Sequence, residues 1–515
     1  MTPRELLPLG RLGLPGLLVS LAAAAAPSSA PPVSPPRAAP TTTAVVPSPT
    51  GAPSPDEFRR TQPPPGPAAA FTVPRPVRFA AAGIDVALVE RHDLPVVSAS
   101  LVWRSGAAAD PQDKSGLSSL CAAAINEGPA RLTKVAYEEA QADLAASVTV
   151  SAGSEQTAGG VRALAATFAP AFDLLVEAVA SPGLRADDFA RVKARASAAL
   201  LQQKGSPDGI AGRLQGRVLW GAGHPLGAVV TEASLAVVAV DDCRAFARRL
   251  GPQGARLYVT GDITRDALAG LVAKVVDARR WRGKAPTPTT VPAPRLPAGG
   301  VVVVDVPGAA QSLVALLGEG PARTAKDHEA QAVVLSILGG GFSSRVNMNL
   351  REKHGYTYGA RAGVAYTRTR GVFTMTSSVR TDVTGEAIRQ MVGELRAMQS
   401  GVVTDEELDR ERDGALLSFP ARFATGAAVA DAWATLDFFG LPKDTWDTTP
   451  ARLQALDKPA LAAAARTALP RSTTLFVVGD LQKVAVDLQV IADDGMFGDE
   501  RVVRRLDADG APTAP

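Results

Sequence analysis

Two stretches of this 515-residue chain repeat one another at nearly the same spacing. Leu257–Asp262 reads LYVTGD, and Leu475–Asp480, 218 positions later, reads LFVVGD. Asp187–Arg191 reads DDFAR, and Glu406–Arg410, 219 positions later, reads EELDR. In each segment of the second pair, acidic residues at the predicted start of a helix are followed by an arginine one turn later, an order that the helix dipole favours. Two independent matches at one spacing indicate an internal duplication of a mixed α and β unit of about 200 residues.

Each repeat contains its own series of strand and helix patterns. The first is predicted to hold strands at Ile84–Glu90, Val96–Trp103, Val148–Gly153, Ala163–Phe168 and Arg256–Thr260, and helices at Leu117–Ile125, Tyr137–Ala145, Pro170–Ala180 and Ala186–Lys204. The second is predicted to hold strands at Val301–Val306, Ser312–Leu317, Tyr356–Ala365, Val372–Val379 and Thr474–Val478, and helices at Asp327–Leu338, Thr384–Gln399 and Asp405–Ser418. The predicted fold class is therefore α+β, built of two homologous halves.

The charge balance limits the partners of the chain. Hydrophobic residues make up 46% of it and charged residues 20%, so most of the chain can build cores. Basic and acidic residues number 54 and 51, which excludes a strongly basic nucleic-acid binder and an acidic solvating tail.

The first 76 residues differ in composition from the rest of the chain. Arg4 and Arg11 precede the apolar run Leu12–Ala26, which is too short to span a bilayer and is typical of a secretory signal. Residues 27–76 hold sixteen prolines and favour a semi-extended linker. We therefore expect an exported, periplasmic protein, with an uncleaved anchor or a poorly folded end as the alternatives.

Cysteine and histidine are scarce. Only Cys121 and Cys243 are present, so we expect no disulfide framework and no cysteine zinc site. Cys121 lies in an apolar helix and is expected to be a small buried apolar residue. The four histidines are all more than five positions apart, which excludes every zinc motif that needs two histidines at helical spacing.

The most informative segment reads LGGGFSSR from Leu338 and continues as LREKHGYTYG from Leu350. No Gly-Lys-Ser/Thr follows the glycines, so they indicate a tightly packed helix end rather than a phosphate loop. Arg351 and Tyr358 lie on either side of a turn and could donate hydrogen bonds to a peptide carbonyl. On residues alone, a structural arginine that bonds loop carbonyls and a half-buried tyrosine at a strand edge are the better explanation.

These motifs resemble the second-half signature of the pitrilysin/insulinase metallopeptidases, which include mitochondrial processing peptidase. Gly223–Gly227 (GHPLG) and the two Gly-Asp strand ends are similar to further family segments, and the resemblance covers about residues 77–490. It implies two mostly antiparallel sheets with packed helices, forming a clamshell around a peptide-binding cavity. The implied boundaries are a signal at 1–26, a linker at 27–76, halves at 77–285 and 299–490 joined by a hinge at 286–298, and a tail at 491–515 without a clear role.

In active members, the first half carries H-x-x-E-H after Gly-Leu and a further glutamate about 76 residues on. In this chain Ser119 and Ala123 take the histidine positions and Ala122 takes that of the glutamate, while the distal position falls near Ala199. The four positions hold no zinc ligand and no base. Other candidates are weaker: Glu127 reads as a helix-end carboxylate, His224 corresponds to a family position that binds no zinc, and His354 is expected to face solvent.

The resemblance implies a non-catalytic subunit of an exported heteromeric zinc peptidase, without activity alone. Zinc is expected in a homologous partner subunit and no cofactor in this chain. Arg351 and Tyr358 are the implied substrate-binding residues for an extended peptide, with no nucleic acid bound and membrane contact only through an uncleaved N-terminal segment. The alternatives are a structural core protein of the same fold and a stand-alone peptide-binding protein.

Overall fold

The computed structural model describes residues 71–289, 291–292 and 299–514. The predicted signal, most of the proline-rich linker and part of the predicted hinge lie outside these residues. Those described from Val73 onward belong to one compact unit.

The first half comprises these elements: β1 Val77–Ala81, β2 Ile84–Glu90, β3 Val96–Trp103, α1 Leu117–Ile125, α2 Lys134–Asp143, β4 Ser147–Ala152, β5 Thr157–Leu164, α3 Phe168–Ala180, α4 Ala186–Lys204, α5 Pro207–Trp220, α6 Glu232–Val237, α7 Val240–Arg249, β6 Arg256–Gly261 and α8 Arg265–Ala278. The second half comprises these: β7 Val301–Asp305, β8 Gln311–Gly320, α9 His328–Gly339, α10 Arg345–Asn347, β9 Thr357–Tyr366, β10 Gly371–Arg380, α11 Thr384–Gln399, α12 Asp405–Ser418, α13 Gly426–Phe439, α14 Thr445–Gln454, α15 Lys458–Ala468, β11 Thr474–Gly479, α16 Leu481–Asp493 and β12 Val503–Leu506. A π-helix, Met348–Lys353, continues α10.

The strands form two six-stranded sheets with corresponding orders. The first is β1-β2-β6-β3-β5-β4 and the second is β12-β7-β11-β8-β10-β9. Parallel pairing occurs between β2 and β6, between β7 and β11 and between β7 and β12, whereas the other neighbours are antiparallel. The five shared strands of each sheet follow the same path, so the predicted α+β class and the two homologous halves are confirmed.

The halves cover each other's sheets through one helix each. Helix α5 of the first half packs on β8 and β11 of the second sheet, where Leu214 and Phe476 are fully buried. Helix α13 of the second half packs on β3 and β6 of the first sheet, where Trp433 and Tyr258 are buried. The two helices start 219 residues apart, at Pro207 and Gly426, so the exchange follows the duplication. Burying a large apolar side chain contributes about 1.5–3 kcal/mol, so these contacts join the halves firmly.

Further polar contacts join the halves at their margins. The backbone nitrogen of Arg368, in the β9–β10 turn, donates to Glu155 in the β4–β5 turn at 2.9 Å. The C-terminal tail adds strand β12 to the second sheet. Its Asp509 carboxylate accepts from Lys204 at 2.7 Å and from Arg213 at 3.0 Å, both in the first half. The tail therefore has a structural role that the sequence did not predict.

A disulfide joins Cys121 in α1 to Cys243 in α7, with their Cα atoms 4.9 Å apart. Both cysteines are fully buried, as expected for Cys121. The interpretation of Cys121 as a simple buried thiol is wrong, because its sulfur is bonded. A spacing of 122 residues gives no local sequence signal for such a pair.

Several predicted bounds need correction. Helices α1, α4, α11 and α12 have the predicted bounds, but the strand predicted at Ala163–Phe168 is wrong. The strand is Thr157–Leu164, and Phe168 already begins helix α3. Gly159 and Gly160 interrupt the strand pattern in the sequence, although both belong to β5.

Candidate functional site

The positions that correspond to the family's zinc site lie on α1 and α4, which pack together. Ser119 and Ala123 are exposed one turn apart on α1, and Ala199 is exposed on α4, whereas Ala122 is buried. Zinc in proteins is held by thiolate, imidazole or carboxylate groups. A serine hydroxyl and methyl groups do not fit the ion. Over the described ranges, no group of three or more histidine, cysteine, aspartate or glutamate residues could hold a metal.

Polar contacts fix the two ends of α1. At its start, Asp110 accepts from the backbone nitrogen of Ser118 at 3.0 Å. Burial raises the pKa of Asp110, although the Ser118 hydrogen bonds oppose this shift. Beyond its end, the buried Glu127 carboxylate accepts from Arg191 at 2.6 Å and from Arg195 at 2.5 Å, both on α4. Glu127 is thus a structural carboxylate, because two guanidinium groups occupy its oxygens.

The motif at residues 338–345 forms a rigid end to helix α9. A Cβ atom on Gly339 would overlap the backbone of Ala362 in β9, so only glycine permits this approach. The Arg345 guanidinium donates to the Glu407 carboxylate at 2.7 and 2.6 Å, which ties the motif to α12. This pairing raises the pKa of Arg345.

Asn347 fixes the loop that precedes the candidate arginine. Its side-chain nitrogen donates to the carbonyl of Phe342 at 2.8 Å, and its oxygen accepts from the backbone nitrogen of Ala360 at 3.1 Å. Leu350 follows at the centre of the π-helix and is fully buried. The loop, the π-helix and strand β9 are therefore joined into one unit.

Arg351 lies within the π-helix, and such helices often occur at functional sites. Its guanidinium carbon lies 5.1 Å from the centre of the Phe342 ring, within cation–π range. Its Nε lies 3.3 Å from the Glu352 carboxylate. Phe342 itself is 72% exposed. An exposed aromatic ring thus holds the arginine at the surface, a role of Phe342 that the sequence did not predict.

Tyr358 follows seven positions later, after a turn at Gly355 with φ of +64°. It is the second residue of β9, the strand at the edge of the second sheet. The side chain is 90% exposed, which leaves its hydroxyl accessible to a ligand. The structure thus brings Arg351 and Tyr358 to consecutive elements that pack together. Their predicted placement on either side of a turn is correct.

The neighbouring histidine is not placed as expected. His354 stacks on Tyr356 with 4.9 Å between ring centres, and its Nε2 atom is buried. The expectation that it faces solvent is therefore wrong. His224 has a structural environment as well, because its ring stacks on Trp220 and its Nε2 lies 2.9 Å from the carbonyl of Pro292.

The two groups of candidate residues belong to different halves of the chain. In the part of the chain that the structure describes, no hydrogen bond, ion pair or ring contact joins Ser119, Ala123 or Ala199 to Arg351 or Tyr358. The chain therefore offers two kinds of surface: small side chains on α1 and α4, and hydrogen-bond donors beside β9.

Comparison with known proteins decides the family. A model described as the peptidase M16 inactive domain matches residues 238–414. This part of the chain is thus similar to the inactive domain of the M16 (pitrilysin/insulinase) peptidases, in agreement with the missing zinc motif. Recognition of this family from the sequence is thereby confirmed.

The match to a curated relative is partial. An uncharacterized zinc protease of Mycobacterium leprae is 29% identical to this chain over 138 residues, which cover 26% of this chain and 31% of that relative. The comparison thus spans about a third of the relative's length.

Solved structures share the fold. A peptidase M16 inactive domain from Pseudomonas fluorescens superposes with a TM-score of 0.72 at 24% identity, covering 79% of this chain and 98% of that one. The periplasmic protease PqqL from Escherichia coli gives a TM-score of 0.67 at 13% identity, covering 81% of this chain and 48% of PqqL. Within the described residues of this chain, none of the helices is long and apolar enough to cross a membrane.

Proposed function

We propose that this protein is the non-catalytic subunit of an exported, two-chain zinc metallopeptidase. The observation that carries the proposal is the 90% exposure of Tyr358 beside Arg351, in a chain whose zinc positions are serine and alanine. A tyrosine with a purely structural role would normally be packed or hydrogen-bonded at its hydroxyl. An exposed pair of donors suits a ligand supplied from outside the chain.

The pair would act on the peptide bond that the partner subunit cleaves. The Arg351 guanidinium and the Tyr358 hydroxyl would donate hydrogen bonds to a peptide carbonyl, and these bonds would strengthen as negative charge develops on its oxygen. Phe342 would keep the guanidinium in place without occupying its N–H groups, because a cation–π contact uses the face of the ion. The zinc ion and its ligands would belong to the partner.

The outer edge of strand β9 supports a role in holding an extended peptide. Strand β9 ends the second sheet, and no other strand among the described residues pairs with this edge. The corresponding edge strand β4 is less open, because the Asn126 and Gln141 side chains already bond its backbone. A peptide in the extended conformation can add to such an edge through main-chain hydrogen bonds. Tyr358 lies on β9, so a peptide on this edge would pass close to its hydroxyl.

The buried Cys121–Cys243 disulfide supports export, because disulfides persist in oxidising compartments and are rare in the cytosol. The apolar run near the N-terminus supports the same location. The fold shared with a periplasmic protease is consistent with it.

The first experiment is native mass spectrometry of the tagged protein isolated from its own host, with metal analysis of each complex. We expect a complex that contains a second chain of similar size and one zinc ion. Finding only zinc-free monomers or homodimers would contradict the proposal. Capture on a complex without a zinc-bearing chain would instead indicate the structural core protein.

The second experiment measures peptide cleavage by the reconstituted complex. Arg351→Ala and Tyr358→Phe should each lower turnover by roughly 10-fold or more, as loss of one transition-state donor usually does. Arg282→Ala is the matched control, because Arg282 is an exposed arginine that pairs with Asp277 in the first half. Unchanged turnover in both test variants would remove the pair from the mechanism even if the complex exists.

A further inference from the structure

A second cluster of charged side chains lies where α13 covers the first sheet. At its centre, the Asp437 carboxylate accepts two hydrogen bonds from Arg78, at 2.8 and 3.2 Å. The Tyr258 hydroxyl donates a third at 2.8 Å, and Nη1 of Arg256 lies 3.8 Å from the same carboxylate. Asp437 is therefore fully occupied, and it can offer little to any further arginine.

Arg104 lies beside this cluster without such a partner. Strand register pairs Val102 with Arg256, and Arg104 follows two residues later on the same face. The Nε atom of Arg104 is buried and has no hydrogen-bond partner among the described residues. A buried guanidinium nitrogen without a partner is costly, so its retention needs an explanation.

A third arginine reaches this place from the other half of the protein. The backbone of Thr289 donates to the Arg104 carbonyl at 3.3 Å, and its own carbonyl accepts from Nη2 of Arg368 at 3.3 Å. Thr289 thus brings the β9–β10 turn close to the end of β3. The Glu155 carboxylate, in the β4–β5 turn of the first half, accepts a hydrogen bond from the backbone nitrogen of Arg368 at 2.9 Å.

The electrostatics agree with this geometry. Burial lowers the pKa of Arg104, and the like charges of Arg256 and Arg368 lower it further. Asp437 and Tyr258 oppose the shift only as smaller contributions. Positive charge is therefore concentrated around Arg104 beyond what the nearby carboxylates neutralise.

We propose that Arg104, Arg256 and Arg368 form a binding site for an oxyanion at the seam between the two halves. Guanidinium groups match carboxylate and phosphate oxygens through paired N–H donors. A cavity of 370 Å³ adjoins the site at Arg256, the one of the three arginines that lines it, together with Tyr258 and Asp437.

The oxyanion can come from two sources that share this chemistry. One is free inorganic phosphate, and the other is a carboxylate of an acidic peptide. Because the site draws on both halves, either ligand would join them more firmly when it binds. The site is separate from Arg351 and Tyr358, and it does not depend on the two-chain peptidase.

The test is binding to the full chain, measured by calorimetry and by thermal unfolding at constant ionic strength. The probes are inorganic phosphate, a short oligoglutamate peptide and its glutamine counterpart. We expect phosphate or oligoglutamate to bind and to raise the unfolding temperature, with no effect of oligoglutamine. Binding of phosphate alone assigns the site to a free anion, and tighter binding of oligoglutamate assigns it to an acidic peptide.

Variants then locate the binding. Arg104→Gln should weaken binding of the probe at least 10-fold. Without ligand, this variant should unfold at the same or a higher temperature than the parent, because the substitution removes the repulsion between Arg104 and the two other arginines. Arg368→Gln should weaken binding as well, and Arg282→Gln should leave it unchanged. If neither probe binds, or if both Arg104→Gln and Arg368→Gln keep the parent affinity, the proposal is wrong.

Discussion

The disulfide between Cys121 and Cys243 should contribute a large part of the stability of the first half. It closes a loop of 122 residues, and fixing the ends of a loop of this length removes chain entropy from the unfolded state. The chain-entropy model gives about 5 kcal/mol at 25 °C for this loop, and measured effects are typically about 2–4 kcal/mol. We therefore expect reduction to lower the free energy of unfolding by about 2–5 kcal/mol.

The assay is urea unfolding of oxidised protein and of protein refolded after reduction, with free thiols counted by alkylation and mass spectrometry. Reduction deletes no atoms, so this pair isolates the effect of the covalent bond. A variant carrying Cys121→Ala and Cys243→Ala should be at most as stable as the reduced protein and insensitive to reductant, since it lacks both buried sulfur atoms. The reasoning is refuted if oxidised and reduced proteins differ by less than about 0.5 kcal/mol, or if the protein isolated from its own host carries two free thiols.

Two further predictions concern charged groups. Asp509→Ala should lower the free energy of unfolding by about 1–2 kcal/mol and expose β12 to proteolysis, because it leaves the buried Arg213 without its carboxylate partner. The control is Asp499→Ala, a substitution at an exposed position of the same tail. Equal stability of the two variants would contradict the structural role of the tail. Burial raises the pKa of Asp431 in the folded state to about 6, so its ionisation costs the native state stability as pH rises from about 4 through 6. The Asp431→Asn variant should therefore have a higher free energy of unfolding than the parent at pH 7, by at most about 3 kcal/mol, and the same free energy near pH 4. The measurement is urea unfolding of both proteins at several pH values. A difference in free energy that does not change with pH would show that ionisation of Asp431 is not the cause.

Local patterns predicted the elements whose apolar faces contact their own half. Val96–Trp103 and Ala186–Lys204 have the bounds that their periodicity indicates. Helix α5 was missed because Gly209, Gly212 and Gly216 weaken the helical pattern, and because its apolar face packs on the sheet of the other half. A contact between the two halves cannot be predicted from the residues adjacent in the sequence. Strand β12 was missed for a similar reason, since it pairs with a strand about 200 residues away.

The candidate site divides in the same way. Arg351 and Tyr358 were singled out because the family resemblance implies roles for single positions, and these roles stay a prediction. Phe342 was not singled out, since an exposed aromatic residue next to three glycines carries no local signal for a cation–π contact. The site around Arg104 was also missed, because its three arginines come from positions 104, 256 and 368 and meet only when the halves pack together.

The loss of zinc ligands raises the question of what holds α1 and α4 in place. In a zinc-containing relative, a metal bound by both helices would join them, and metal binding of this kind adds directly to folding stability. In this chain the same helices are fixed by other bonds. Glu127, just beyond α1, pairs with Arg191 and Arg195 of α4, and the Cys121–Cys243 disulfide ties α1 to α7. These bonds need no metal, so α1 and α4 can keep their arrangement without zinc ligands. Their surface therefore stays available for a ligand or a partner.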